Sequence, residues 1–171
     1  MKIKLFLLLS LCLCVSAVNV FAQKPKEKLN PEIQKMIKEI SAKRIEADIR
    51  KLVSFGTRNT LSEQDNPTRG IGAARDWLFA EFQKISAECG NCLQVEKQTF
   101  LQPKAARIPE PTNLTNVFAV LKGTTNPDRI YVVSGHYDSM CSSPTDAKCD
   151  APGANDDGSG TAAVMELARI F

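Results

Sequence analysis

Apolar residues recur at helical spacing in several stretches of the chain. One stripe comprises Ile33, Met36, Ile37 and Ile40, the next Ile45, Ile49, Leu52 and Val53, and the third Ile71, Ala74, Leu78, Phe82 and Ile85. Asn30 and Pro31 suit an N-cap and a first helical position, so we predict a helix from Pro31 and a helix end near Gly56. We expect the three stripes to pack on a core, with Trp77 at the margin of the third. A last stripe comprises Val164, Leu167, Ala168 and Phe171.

Between these helices the pattern changes to that of strands. Residues 93–102 alternate loosely, and the three prolines of residues 103–112 indicate a loop or an extended crossing. The short apolar runs 116–121 and 130–133 are typical of strands buried on both faces of a sheet. The order of elements predicts an α/β three-layer sandwich with a mixed, largely parallel sheet. Because the last helix has no stop signal, we expect the fold to continue beyond Phe171.

The first 22 residues have the pattern of a cleaved secretory signal peptide. Lys2 and Lys4 precede an apolar run from Leu5 to Val18, and Val20-Phe21-Ala22 suits a cleavage site. The run is shorter than the roughly 20 residues of a membrane span, so we expect no stable membrane anchor. The mature chain would begin near Gln23 with a charged linker over residues 23–29, in a secreted or periplasmic protein.

Charge and cysteine usage narrow the class of protein. Loss of Lys2 and Lys4 from 22 basic residues leaves 20 against 19 acidic ones, so nucleic acid is not an expected partner. Four of the six cysteines lie beyond the signal peptide, and an even number in an exported chain favours disulfides. Among the three possible connectivities we favour the local pairs, Cys89 with Cys92 and Cys141 with Cys149. The oligomeric state stays open.

The single histidine of the chain lies in the sequence Gly-His-Tyr-Asp-Ser, directly after the run 130–133. Ligands of open α/β sheets bind beyond the carboxyl ends of strands, and this is the position of His136. Side chains of an extended backbone alternate, so His136 and Asp138 project to the same side. Asp138 is thus able to orient the imidazole and leave its other nitrogen free for a metal or a proton. Gly135 removes a side chain where another group must come close.

Two adjacent aspartates follow in Ala-Pro-Gly-Ala-Asn-Asp-Asp-Gly-Ser-Gly, before the last helix. Asp156 and Asp157 therefore lie at the positive end of a helix dipole. Asp157 or Ser159 is also a natural N-cap, which is a sufficient structural explanation for one of the carboxylates. Carboxylates combined with one imidazole suit zinc, and a shared carboxylate holds two metal ions about 3.5 to 4 Å apart. Such a pair activates water for amide hydrolysis.

These two motifs resemble metallopeptidase family twenty-eight, the zinc exopeptidases of the bacterial leucyl aminopeptidase and aminopeptidase Y type. The resemblance covers about residues 45–171, with Val-Ser-Phe-Gly-Thr-Arg-Asn-Thr-Leu-Ser at residues 53–62 as weaker support. It implies that His136 binds zinc, that Asp138 orients His136 in the catalytic centre, and that Asp156 bridges two zinc ions. Residues 30–171 would then be the N-terminal part of a peptidase catalytic domain.

The resemblance also implies residues that this sequence does not assign. The family continues with a Glu-Glu pair, an aspartate and a second histidine, so the chain by itself is expected to be inactive. Glu46, Glu81 and Glu166 lie in amphipathic helices, where we expect solvated charges, and none is assigned as general base. A peptide or protein substrate is implied, and aminopeptidase, carboxypeptidase and dipeptidase activities all remain open, with the first favoured by likeness.

Two other functions remain as alternatives. A single-zinc peptide cyclotransferase of the glutaminyl cyclase type is similar around the same strand and helix, although Asp157 and the Gly-Ser-Gly turn fit the two-zinc peptidases better. A noncatalytic, secreted calcium-binding module would also use an aspartate-rich turn. That stretch lacks the alternating ligands and the final glutamate of an EF-hand loop.

Overall fold

A computed structural model describes residues 29–171 of the chain. The predicted signal peptide and residues 23–28 lie outside the described residues. The elements are α1 (Pro31–Glu39), α2 (Ala42–Val53), α3 (Gly70–Glu88), β1 (Leu93–Gln102), β2 (Thr112–Leu121) and α4 (Ser159–Ile170). The predicted α/β class is confirmed, with a two-stranded antiparallel sheet in this part of the chain. None of the described helices is long and apolar enough to cross a bilayer.

Helix α1 begins at Pro31, as predicted. The side chain of Asn30 accepts a hydrogen bond from the Glu32 amide at 2.8 Å and so caps the helix. None of the residues in α1 is buried, and Ile33 and Ile37 are about half exposed. The expectation that this stripe packs on a core is therefore wrong within the described residues, because helical periodicity defines an apolar face without supplying the surface that covers it.

Helix α2 is a separate element with its own cap. The Ser41 hydroxyl accepts a hydrogen bond from the Arg44 amide at 3.3 Å, and the helix ends at Val53. Leu52 is fully buried. Gly56 follows the helix with a φ of 71°, a left-handed conformation that costs glycine little, which explains the helix end expected there.

Helix α3 supplies most of the core. All five residues of the predicted stripe are buried: Ile71, Ala74, Leu78, Phe82 and Ile85. Three of them form one apolar cluster with Met165 of α4, and half-buried residues of both strands pack against that cluster. A second cluster is formed by Phe55, Ala73 and Ala74, with Trp77 packed against it. Burial of this face holds the helix against the sheet.

Strand β1 has the predicted bounds, and β2 begins earlier than predicted. The two strands pair over their full length, from Leu93 opposite Leu121 to Gln102 opposite Thr112. No residue of β2 is fully buried, so the expectation of a strand buried on both faces is wrong for it. One face of this sheet packs on α3, and the other face has no partner among residues 29–171, so the inward residues are half-buried.

The apolar run 130–133 forms no strand in this structure. Within the described residues, its backbone has no hydrogen-bonded strand partner, and its four side chains are 59–83% exposed. The prediction of a buried strand here is thus wrong for the described part of the chain. An apolar run marks residues that are suited to burial, but a strand also needs a neighbouring strand to satisfy its peptide groups.

The buried face of α4 differs from the predicted stripe. Ala162 and Met165 are fully buried, whereas Val164 and Leu167 are partly buried and Phe171 is exposed. The expectation of a solvated charge at Glu166 is also wrong, because its side chain is only 3% exposed. The apolar residues of α4 thus meet α3 while Glu166 meets α2.

Glu166 is held by α2 and by its own helix. Its oxygens accept hydrogen bonds from the Ser41 amide at 2.7 Å and from the Arg44 guanidinium at 2.7 and 3.0 Å. Arg169 lies 3.4 Å from Glu166 and 2.8 Å from Asp48. The hydrogen bonds from Arg44 outweigh the opposing effect of burial and lower the pKa of Glu166.

Both predicted disulfides are confirmed. Cys89 is bonded to Cys92 directly after α3, and Cys141 is bonded to Cys149 in the loop between the histidine motif and the Asp156-Asp157 motif. The second disulfide closes a short loop between His136 and Asp156.

Candidate metal centre

His136 and Asp138 lie on the same side of an extended segment. Nδ1 of His136 is 3.0 Å from Oδ1 of Asp138, so the carboxylate orients the imidazole ring. Tyr137 between them packs into the core, and its hydroxyl donates to the carbonyl of Thr115 at 2.6 Å. Burial raises the pKa of Tyr137 to about 12. The alternation of side chains therefore anchors the segment through the tyrosine and presents the other two residues together.

Asp156 faces the other nitrogen of the same imidazole. Its Oδ1 atom is 3.2 Å from Nε2 of His136, and its side chain is 88% exposed. Asp156 belongs to a helical turn, residues Ala154–Gly158, in which its own φ and ψ are not helical. This turn directs the carboxylate toward the histidine.

Asp157 has a different role in the geometry. Its Oδ2 atom accepts a hydrogen bond from the His136 amide at 3.1 Å, and its Oδ1 atom accepts one from the Gly160 amide at 3.0 Å. The second contact satisfies a free amide in the first turn of α4, as a capping residue does. Asp157 thus joins the backbone of the histidine segment to the start of α4.

Two glycines permit this close approach. A Cβ atom on Gly135 would lie 2.7 Å from the carbonyl carbon of Gly160 and from the amide nitrogen of Thr161. A Cβ atom on Gly160 would collide with the carboxylate of Asp157. The Thr161 hydroxyl adds a hydrogen bond of 3.1 Å to the His136 carbonyl. The expectation that Gly135 lies where another group comes close is therefore confirmed.

A third segment, residues 56–62 between α2 and α3, contacts both the histidine segment and the loop that leads to Asp156. Arg58 is fully buried in this segment. Its guanidinium donates to four backbone carbonyls at 2.7–3.0 Å, namely those of Leu52, Tyr137, Pro152 and Gly153. Two of these carbonyls belong to the loop that leads to Asp156 and one to the histidine segment. A single side chain therefore ties the two motifs together.

The same segment is also attached through its backbone. The Arg58 amide donates to the Ser139 hydroxyl and the Arg58 carbonyl accepts from the Ser139 amide, both at 3.0 Å. The Ser139 hydroxyl donates onward to the Ala151 carbonyl at 2.6 Å. Burial lowers the pKa of Arg58, against the opposing charges of Asp138 and Asp157.

Thr60 contacts the candidate site directly. Its hydroxyl is 3.1 Å from Oδ2 of Asp138, the carboxylate oxygen that does not face His136. In the sequence, residues 53–62 are only weak support for the family resemblance, and no role is predicted there for Arg58 or Thr60. Burial of Arg58 is a property of the folded chain, so the residue pattern of this loop carries no local signal of either role.

The carboxylates around His136 set its protonation. Partial burial lowers the pKa of His136, but the hydrogen bond to Asp138 and the charges of Asp138, Asp157 and Asp156 raise it by more. The net effect is a pKa of His136 above the ordinary value for histidine. A cluster with this excess of negative charge favours a bound cation.

Cys141, Asp146 and Cys149 also place potential ligand atoms within 4.8 Å of one another. The two sulfur atoms are bonded to each other, so neither offers a thiolate to a metal. Within residues 29–171 the arrangement of His136, Asp138 and Asp156 is therefore the stronger candidate for a metal centre.

Comparison with known proteins identifies the family to which the chain is similar. Residues 116–171 match the model of Peptidase family M28. The chain is 55% identical over 140 residues to a probable zinc metalloprotease of Leptosphaeria maculans. The aligned region covers 82% of this chain and 32% of that protein. Probable zinc metalloproteases of Pyrenophora teres f. teres and Pyricularia oryzae are 48% identical over 153 residues and 51% identical over 140 residues. The aligned regions cover 90% and 82% of this chain, and 32% and 28% of these two relatives, respectively. The chain thus spans about a third of the length of these relatives, and it belongs to peptidase family M28.

Proposed function

We propose that this chain carries part of the active site of a zinc-dependent peptidase, in which His136 and Asp156 bind the metal and Asp138 orients His136. The observation that carries the proposal is the separation of 3.2 Å between Nε2 of His136 and Oδ1 of Asp156. Two ligand atoms on a tetrahedral zinc ion, at bond lengths of about 2.0 to 2.1 Å, lie about 3.3 Å apart. The two atoms are therefore spaced as ligands of one ion.

The donor set also suits zinc chemically. Asp138 engages Nδ1 of His136, which favours the tautomer whose Nε2 lone pair is free. Asp156 is exposed, and its carboxylate faces that lone pair. Asp156 and His136 therefore direct their donor atoms toward one position, as two ligands of the same cation do. Asp157 is a poorer ligand, since both of its oxygens accept backbone hydrogen bonds and its side chain is only 25% exposed.

When bound, zinc would lower the pKa of a water molecule and polarise the peptide carbonyl. The residues of this chain contribute the position of the ligands. Asp138 prevents rotation of the imidazole, and Asp157 keeps the histidine backbone next to the turn that bears Asp156. We assign Asp156 as the shared ligand of two ions because its second oxygen remains exposed.

The family resemblance supports a more specific form of this proposal. The substrate is a peptide or protein, and the activity is that of an exopeptidase, with aminopeptidase activity favoured. His136 and Asp156 supply two ligands where a pair of zinc ions needs roughly five. The general base and the other ligands are therefore assigned to residues outside this chain, and residues 23–171 alone are expected to be inactive.

The domain organisation is proposed accordingly. Residues 1–22 are a signal peptide, residues 23–29 a linker, and residues 30–171 the first part of the catalytic domain of a secreted or periplasmic protein. The two disulfides fit such a compartment. In the complete domain, the exposed apolar run 130–133 acquires strand neighbours and becomes part of a mixed sheet within a three-layer sandwich.

The test compares the full-length protein with its His136→Ala and Asp156→Asn variants. Zinc content is measured by mass spectrometry, and activity by release of the N-terminal residue from aminoacyl anilides. We expect both variants to lose activity and Asp156→Asn to lose occupancy at two metal positions. Asp150→Asn is the control, because Asp150 is an exposed carboxylate of the same loop that pairs with Arg69. Two zinc ions and normal turnover in Asp156→Asn would exclude the bridging role, and one zinc ion in the unaltered protein would favour the cyclotransferase alternative.

A further inference from the structure

We propose that Thr60 is a positioning residue of the metal centre, which acts by holding the carboxylate of Asp138 against His136. The inference deepens the proposed function and depends on it. It is carried by a chain of two contacts, from the Thr60 hydroxyl to Oδ2 of Asp138 at 3.1 Å and from Oδ1 of Asp138 to Nδ1 of His136 at 3.0 Å.

The direction of these hydrogen bonds follows from chemistry. An aspartate carboxylate only accepts, so the Thr60 hydroxyl donates its proton to Oδ2. With each oxygen of Asp138 engaged by a different donor, the plane of the carboxylate is determined. Without Thr60, the carboxylate is free to rotate about its terminal torsion, whose energy wells are broad. Rotation would move Oδ1 away from the imidazole and loosen the ring.

Thr60 is well suited to this task because its own position is determined from several sides. Its chain neighbour Asn59 caps the local turn, since the Asn59 side chain accepts from the Leu61 amide at 2.9 Å and donates to the Pro144 carbonyl at 3.1 Å. Arg58, one residue earlier, is bonded through both backbone groups to Ser139. The branched side chain of threonine also has few χ1 rotamers. The hydroxyl is thus presented to Asp138 by a rigid segment.

Thr60 and Asp138 are 78 residues apart in the sequence, so their contact depends on how the two segments pack together. Ser139 follows Asp138 directly, and its hydrogen bonds to Arg58 align residues 58–60 beside residues 137–139. A threonine that only contacted solvent would not require these hydrogen bonds between the two segments. The structure therefore assigns Thr60 to the same network as Asp138 and His136, one contact further from the metal.

The first test measures zinc affinity of the full-length protein by competition with a chelator. Outer partners of metal ligands typically change metal affinity by about 10 to 100-fold, and Thr60 acts one contact further out, so Thr60→Val should weaken zinc binding by about 3 to 10-fold. Thr60→Ser retains the hydroxyl and should stay within about 2-fold of the unaltered protein. Thr112→Val is the matched control, because the Thr112 hydroxyl donates to the Glu110 carbonyl at the start of β2, and it should leave zinc affinity unchanged.

A double-mutant cycle then separates positioning from packing. If Thr60 acts through Asp138, Thr60→Val should have no further effect on zinc affinity in an Asp138→Ala background. An undiminished effect in that background, or an equal loss in Thr60→Ser, would overturn the proposal, as would a Thr60→Val protein with unaltered affinity. Absence of zinc binding in the unaltered protein would instead overturn the proposed function.

The second test needs no metal. Nitrogen NMR of the His136 ring, in zinc-free protein at a pH where the ring is neutral, reports which nitrogen carries the proton; the signals are assigned by their loss in His136→Ala. All three proteins carry Asp156→Ala, which removes the carboxylate that faces Nε2 and would compete for the proton. We expect a proton on Nδ1 when residue 60 is threonine or serine, and a mixture of tautomers in Thr60→Val. The same tautomer ratio in all three proteins would contradict the positioning role even if the metal centre is as proposed.

Discussion

Nε2 of His136 lies 3.2 Å from Oδ1 of Asp156, although the two residues belong to different segments separated by a disulfide-closed loop. The approach is possible because the backbone at Gly135 touches the first turn of α4. The spacing of the two side chains is therefore set by a backbone contact that lies beside them.

Gly135→Ala is predicted to disturb this spacing. The added methyl group would press on the backbone of Gly160 and Thr161 at 2.7 Å, and backbone cannot give way as a flexible side chain can. Overpacking of this kind costs about 1 to 3 kcal/mol in the free energy of unfolding. Urea denaturation and zinc competition measure the two effects. Gly123→Ala is the control, because a Cβ atom there meets nothing within 4 Å; equal stability of the two variants would contradict the proposed contact.

Arg58→Met is predicted to be one of the most destabilising single changes in the chain. It leaves four carbonyls without the guanidinium that they share, and a buried group without a partner costs about 1 to 3 kcal/mol. Because water replaces the guanidinium at some of these carbonyls, the individual costs do not simply add. We expect the free energy of unfolding, measured with urea, to fall by about 3 kcal/mol or more. Arg58→Lys should recover only part of it, since an ammonium lacks the planar fork of donors. Arg107→Met, at an exposed arginine in the connection between β1 and β2, serves as the control.

Glu166→Gln is predicted to lower stability at neutral pH and to have less effect in acid. The pKa of Glu166 is lowered in the folded protein by the hydrogen bonds from Arg44, so its contribution is complete above the pKa of the unfolded chain and is lost as the pH falls through the folded value. We expect a difference of about 2 kcal/mol near pH 7 that shrinks below about pH 4.

Thermal or urea unfolding across this pH range provides the measurement for Glu166. Glu46→Gln is the matched control: Glu46 forms an exposed pair with Arg50 within α2, which is worth about 0.3 to 0.5 kcal/mol. A stability difference for Glu166→Gln that persists unchanged in acid would show that the charge of Glu166 is not the source of the effect.

Removal of the Cys141–Cys149 disulfide is predicted to cost about 2 to 3 kcal/mol, from the chain entropy of a short closed loop. The double variant Cys141→Ser/Cys149→Ser, compared by urea unfolding with Cys89→Ser/Cys92→Ser, provides the measurement. The latter disulfide closes a shorter loop and should contribute less. Peptide mapping without reductant checks the pairing, and free thiols at Cys141 and Cys149 would contradict it.

The sequence by itself determined the features that depend on local periodicity. The stripe of α3 and the bounds of β1 were predicted from residue spacing, and the local disulfides were favoured among three pairings of an even number of cysteines in an exported chain. All three features are present. The contact between His136 and Asp138 also follows from the alternation of an extended backbone. In each case the relevant partners lie within a few residues or on one face of one element, so that backbone geometry is sufficient.

The tertiary structure decided what depends on partners from distant segments. It divided the adjacent carboxylates, with Asp156 turned toward His136 and Asp157 committed to backbone amides. It buried Glu166 against Arg44, and it brought Arg58 and Thr60 into contact with the segment that bears His136 and Asp138. Periodicity records which face of an element is apolar, whereas the partner of a polar side chain depends on which segments meet. That choice is made only when the whole chain packs, and it is the reason that residues 56–62 carried no sign of their role in the sequence.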